Sequence, residues 1–225
     1  MPSARGADDS PWELREDEEG LALVSDGMVL RGSFERLLSR ARPDRLSREL
    51  LVRAARVKGV AHPRVVDATA GLGEDSFLLA AAGCELLLFE RDPQIAALLA
   101  DALRRAALDE RLAPIAARMT LRAEDSIAAM ATGELDPHVV LLDPMFPGRS
   151  KSAAVKKKLQ LIQLLEKPCD DEEALMDAAL AARPRKIVVK RPAKGPLLAG
   201  VKPSHSLTGK AIRYDVIVPP PVRRP

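Results

Sequence analysis

The chain has 225 residues, 47% of them hydrophobic, enough to bury one substantial core, so one main domain with small additions is expected. Its two cysteines, Cys84 and Cys169, argue against a disulfide scaffold or a zinc cluster, and no metal site is expected. No apolar run nears the ~20 residues needed to span a bilayer, and the polar first residues hold no signal segment, so a cytoplasmic protein is expected.

The net charge of +3 is unevenly distributed. Residues 1–20 are acidic and poor in apolar side chains, and are expected to be mobile. Residues 21–60 are read as a small extension. Leu21–Val24 and Met28–Leu30 flank a Ser-Asp-Gly turn and suggest a hairpin. A helix over 45–57 would place Leu46, Leu50, Leu51, Ala54 and Ala55 on one face, with arginines opposite.

From residue 61 to 218 strands and helices alternate, the pattern of βαβ units on a mostly parallel sheet. Strands are predicted at 64–68, 85–90, 118–122, 138–142, 186–190 and 211–218. The firmest helix begins at Asp92-Pro93, an N-cap acceptor before a proline whose missing N–H costs nothing there. It repeats Ile95, Leu98, Leu99, Ala102, Leu103 and Ala106 on one stripe. Two more helices are predicted at 156–166 and 171–182. Residues 219–225, rich in proline, are expected to fray.

The segment Val65-Val66-Asp67-Ala68-Thr69-Ala70-Gly71-Leu72-Gly73 reads as a buried strand, a tight turn and a helix start. Glycine at 71 and 73 permits positive φ and close approach of a ligand to backbone. The helix opening at Glu74-Asp75 presents unpaired N–H groups. Asp67 could reach an amino group of a bound ligand. Glu90 closes the next strand, where an acid holds ribose hydroxyls in doubly wound folds, and Asp125-Ser126 follows the third strand, where adenine is met. A dinucleotide oxidoreductase shares these parts. However, its third glycine is replaced here by Ser76, and the acidic helix start would repel a pyrophosphate. A sulfonium cofactor, S-adenosylmethionine (SAM), meets no such objection.

Asp143-Pro144-Met145-Phe146 ends the strand at 138–142. The Asp143 carboxylate and Pro144 carbonyl could accept hydrogen bonds from an exocyclic amine. Phe146, in a chain with only 3% aromatics, could stack on its base. No nucleophile elbow accompanies His62, His138 or His205, and His138 is read as opening a strand. The residues therefore point to SAM-dependent methylation of an exocyclic nitrogen. Basic clusters at 31–58, at Arg149, Lys151, Lys156, Lys157 and Lys158, and at 183–194 (Lys190 and Arg191 among them) suggest a polyanionic partner.

Five segments occur in order: Asp67–Gly73, Glu90–Pro93, Leu142–Pro147, Lys151–Lys157 and Val188–Pro192. On these the chain resembles the bacterial ribosomal RNA small subunit methyltransferase J family, over about residues 62–218. The resemblance implies a Rossmann-like class I SAM-dependent methyltransferase, α/β and doubly wound, with a mostly parallel seven-stranded sheet. It implies methyl transfer to N2 of a guanine in 16S ribosomal RNA or the small ribosomal subunit. Cofactor positions carried across by motif fall on Glu74, Asp75, Glu90, Arg91, Asp125, Ser126 and Asp143, with departures from the family's pattern at Glu74 and Asp125. Lys151, Lys156, Lys157, Lys158, Lys190 and Arg191 are expected to contact RNA. The alternatives are N-methylation of DNA, another RNA or a protein amide, and a non-catalytic RNA-binding module.

Overall fold

The computed structural model describes residues 12–25, 28–144 and 171–220. Strands Arg64–Asp67 (β4), Glu85–Phe89 (β5), Met119–Arg122 (β6), Val139–Leu142 (β7), Lys186–Pro192 (β8), His205–Thr208 (β9) and Ile212–Ile217 (β10) join into one sheet. Its order is β6-β5-β4-β7-β8-β10-β9. The members from β6 to β8 are parallel, while β10 runs antiparallel to both β8 and β9. The chain steps outward from β4 to β6 and then returns to lay β7 on the other side of β4. That reversal opens a crevice at the carboxyl ends of β4 and β7, the place where open α/β sheets bind ligands.

The middles of the inner strands β4, β7 and β8 are apolar on both sides because both sheet faces are covered. Val65, Val139, Leu141 and Val188 face a layer with Phe77, Leu79, Tyr214 and Val216. Val66, Val140, Leu142 and Val189 face the other, with Met176, Ala179 and Ile217. The covering helices include Glu74–Ala81 (α3), Pro93–Ala106 (α4), Ala113–Ala116 (α5), Ser126–Ala131 (α6) and Glu172–Ala181 (α7). On α4 the expected stripe is realised: Ile95, Leu98, Leu99, Ala102 and Ala106 are buried, and Asp92 accepts from the N–H groups of Gln94 and Ile95 at 2.9 and 3.0 Å. His138 accepts at Nδ1 from the Arg64 N–H (3.0 Å), fixing the start of β7 beside β4. No helix among the described residues is long and apolar enough to cross a membrane.

The N-terminal extension departs from expectation. Gly20–Ser25 (β2) and Met28–Leu30 (β3) form the expected hairpin, but Glu13–Asp17 (β1) adds a third antiparallel strand inside the segment expected to be mobile. All five β1 side chains are exposed, so no buried periodicity marks it in the sequence. It is held by backbone pairing, by buried Trp12, and by Arg31 reaching Asp17 and Glu19. The helix expected over 45–57 is two pieces, Pro43–Leu46 (α1) and Leu50–Ala55 (α2), with the predicted apolar residues still turned inward. Strand β9, short and largely exposed, is absent from the predicted elements. The helix predicted at 156–166 and the last residues of the tail lie outside the described residues.

This extension packs on the ligand-binding end of the sheet. Trp12, Leu23 and Leu30 cluster with Leu72 of the glycine turn and with Ile95 and Leu98 of α4. Asp101 on α4 accepts from the Leu21 N–H at 3.0 Å and from Arg104 and Arg105 at 2.6 and 2.7 Å. A stacked Phe34–Phe77 pair, centroids 4.9 Å apart, closes the same side. The turn is thus backed by hydrophobic packing on that side.

Candidate active site

The turn after β4 is built from two left-handed glycines, Gly71 at φ +54° and Gly73 at φ +73°. A Cβ at Gly73 would lie 2.7 Å from Leu99 Cδ1, so this glycine lets α3 approach α4. A Cβ at Gly71 would meet nothing within 4 Å: the bend opens onto free space, as a ligand-cradling turn must.

Two acids brace the bend. Glu90, 6% exposed at the end of β5, accepts from the Gly71 N–H at 2.9 Å and from the Asp92 N–H at 2.8 Å. It therefore ties the turn to the cap of α4. Burial raises its pKa, against the pull of those two N–H groups. Asp67, 2% exposed, accepts from the Ser76 hydroxyl at 2.6 Å and from the Thr69 N–H at 3.2 Å. Burial lifts its pKa from 3.8 to about 7. The expected contact between Asp67 and a ligand amino group would have to share oxygens that already accept from within the protein. Both its oxygens are turned into the protein, where they join β4 to α3.

Asp143 follows β7 and is set against the same turn. Its N–H donates to Thr69 Oγ1 at 2.7 Å, so the segment after β7 is tied to the segment after β4. Its Oδ2 accepts from Lys190 Nζ at 2.8 Å, and the same ammonium donates to Asp75 Oδ2 at 2.8 Å. Tyr214, buried on β10 opposite Lys190, stands beside this group, its hydroxyl pKa raised by burial and by Asp75. Glu74, at the start of α3, pairs with Arg36.

Two of the expected RNA-contacting cations need correcting. Lys190 lies inside the site, between two carboxylates. Arg191 is 1% exposed and donates to the Pro196 carbonyl at 3.1 Å and to Glu172 at 3.2 Å. Successive strand residues point to opposite faces, so a basic pair that reads as one patch is split across the sheet. Asp125 caps α6 by accepting from the Ile127 N–H at 2.7 Å and remains exposed; Ser126 is buried, and Arg91 is exposed beside the Glu90 strand end. Phe146, Lys151, Lys156, Lys157 and Lys158 lie outside the described residues. Thr69 is the site member that sequence reasoning missed, and Lys190 is one that it assigned to RNA and not to the Asp75–Asp143 pair. A hydroxyl residue inside the glycine-turn segment and a lysine ending an apolar strand were the available signals.

Against this geometry, a family model described as putative SAM-dependent methyltransferase matches residues 16–219. The chain belongs to that family. It is 50% identical over 171 residues to the ribosomal RNA small subunit methyltransferase J of Pseudomonas fluorescens strain Pf0-1, covering 76% of this chain and 66% of that protein. The same figures hold for the protein of that name from Pseudomonas aeruginosa strain UCBPP-PA14. The chain thus spans just under two thirds of the length of these relatives. A crystal structure of a SAM-dependent methyltransferase from Neisseria gonorrhoeae superposes with a TM-score of 0.75 at 32% identity, over 96% of this chain and 86% of that one.

The family's cofactor, SAM, fits the residues present. The open face of Gly71 leaves room for a ligand against backbone. Glu74 and Asp75 at the start of α3 suit a sulfonium with an ammonium tail and oppose a diphosphate. No group of three or more metal-ligating side chains occurs among the described residues.

Proposed function

We propose that this chain transfers a methyl group to the exocyclic N2 of a guanine in 16S ribosomal RNA. When bound, SAM would supply the electrophilic methyl and leave as the neutral thioether, and the methylated nitrogen would release one proton to solvent. The chain's own residues do the rest. The Asp143 carboxylate and the Pro144 carbonyl accept the two N–H groups of the amine, which turns the nitrogen lone pair out of conjugation with the ring. Phe146 stacks on the base and holds it in line. A guanine in a helix has to be flipped out to reach this point. Glu90, Arg91, Asp125 and Ser126 line the cofactor side, and Lys151, Lys156, Lys157 and Lys158 meet RNA phosphates. The small ribosomal subunit is the partner and the cytoplasm the setting.

One observation carries the chemistry: the hydrogen bond from the Asp143 N–H to Thr69 Oγ1, which draws the Asp-Pro segment up to the glycine turn. The RNA substrate is supported by the names of the relatives and by the 50% identity to them over 171 residues.

The test is transfer from labelled SAM to small-subunit particles from cells lacking the protein, with the product nucleoside identified by mass spectrometry. N2-methylguanosine is the expected product. Asp143→Ala should reduce its formation at least ~10²-fold, the usual loss for a key transition-state contact. Label appearing in DNA or protein instead would reject the substrate, and an active Asp143→Ala protein would reject the role of Asp143.

A further inference from the structure

Asp143 is expected to accept hydrogen bonds from a substrate amine, which it can do only while ionised. Its surroundings make that demanding. Burial disfavours the anion most, and Asp75 on α3 and Asp67 on β4 are like charges that oppose it; Tyr214 on β10, its hydroxyl held neutral by burial and by Asp75, stands beside them without adding charge. The favourable charges come from β8, as Lys190 in contact and Arg191 at longer range. Arg40 acts on the neighbouring Asp75 and Tyr214.

Lys190 is the one of these cations in hydrogen-bond contact with Asp143 among the described residues, and it touches two carboxylates at 2.8 Å each. It reaches Asp143 through Oδ2, and among the described residues no partner engages Oδ1. We propose that Lys190 is a positioning residue for methyl transfer: clamped between Asp75 and Asp143, it holds the Asp143 carboxylate ionised and turned, with Oδ2 fixed and Oδ1 presented to the amine.

This inference rests on the proposed N-methylation but names a device that reading does not contain. Burial works against the Lys190 ammonium, yet Asp143 and Asp75 together hold its pKa well above the ordinary lysine range. Lys190 therefore stays charged at neutral pH and cannot be the group that takes up the amine proton. Its function is to set the charge state and direction of its neighbour. Asp75 is the counterweight. Its second contact keeps the ammonium from collapsing fully onto Asp143.

The clamp predicts shifts of opposite sign. In the cofactor-free protein carrying ¹³C-labelled aspartate carboxyls, the Asp143 resonance is identified by its loss in Asp143→Asn and followed with pH. Lys190→Met should raise the Asp143 titration by about one unit or more, as expected for removing a cation in contact. Lys190→Arg should restore most of it. Asp75→Asn should lower it, because a repelling charge is lost and Lys190 is freed to pair with Asp143 alone. The acid limb of kcat/KM for methyl transfer should move in step. An unchanged titration in folded Lys190→Met, or shifts of the same sign in Lys190→Met and Asp75→Asn, would overturn the clamp. If Lys190→Met does not fold, the direction of the Asp75→Asn shift decides. The titration needs neither SAM nor RNA, so correct shifts with no methylation of ribosomal particles would reject the substrate reading and leave the clamp standing.

Discussion

Replacing Asp67 by asparagine separates a structural acid from a ligand-binding one. Asp67 is almost fully buried, and burial raises its pKa from 3.8 to about 7. For an acid whose folded pKa lies above its unfolded value, the folded state binds the proton more tightly. Its stabilising contribution is therefore complete below the unfolded pKa and is lost as pH rises through the folded one. With these two values the loss amounts to about 1.7 kcal/mol at pH 5 and about 4 kcal/mol at pH 8, at 1.36 kcal/mol per unit. Asparagine has the same shape and does not ionise. Its oxygen can still accept from the Thr69 N–H, while its amide donates to the Ser76 hydroxyl, which can accept as readily as donate. Urea unfolding of both proteins at pH 5 and pH 8 should show the Asn variant gaining on the wild type by about 2.5 kcal/mol across that interval. Calorimetric affinity for SAM at pH 7.5 should change little, because both oxygens are engaged by Thr69 and Ser76 and the side chain is almost fully buried. A stability difference that does not vary with pH would refute the burial reasoning. A large loss of SAM affinity with stability intact would return Asp67 to the ligand.

Glu90 should behave in the opposite way. Glu90→Gln puts an amide NH₂ against one of two backbone N–H donors, losing a charge-assisted bond worth about 1.5–3 kcal/mol. SAM affinity measured by calorimetry should fall roughly tenfold to a hundredfold, and equal binding by the variant would release Glu90 from the cofactor turn. Asp101→Ala leaves the Leu21 N–H and two arginines without their shared acceptor, and should cost about 2 kcal/mol in urea unfolding. Amide exchange at Leu21–Leu23 should speed up while that of β4 and β7 is unchanged. Uniform exchange throughout would mean that the small sheet and the large one unfold together.

Much of the architecture is written in local patterns. The apolar strands, the amphipathic stripe of α4 with its Asp92 cap, and the glycine bend each follow from spacing and backbone chemistry that a short stretch of chain contains. So does the pairing of a bend after one strand with an Asp-Pro after another, which marks the ends of β4 and β7. Strand β1 escapes such reading because its five side chains are all solvent-exposed, and its order comes from pairing with β2 and from Trp12.

What the linear order leaves open is who meets whom across the sheet. Lys190 lies 115 positions from Asp75 and 47 from Asp143, and only the placement of β8 beside β7, beneath the start of α3, brings the three together. Asp67 and Glu90 look alike as acids at strand ends, yet one is sealed behind Ser76 and the other ties the glycine bend to α4. Lys190 and Arg191 are neighbours in sequence but back different layers, because a pleated strand sends alternate side chains to opposite sides. Composition and spacing are local properties and could be read directly. Burial and charge pairing depend on chain segments far apart in sequence, so only the folded structure could assign them.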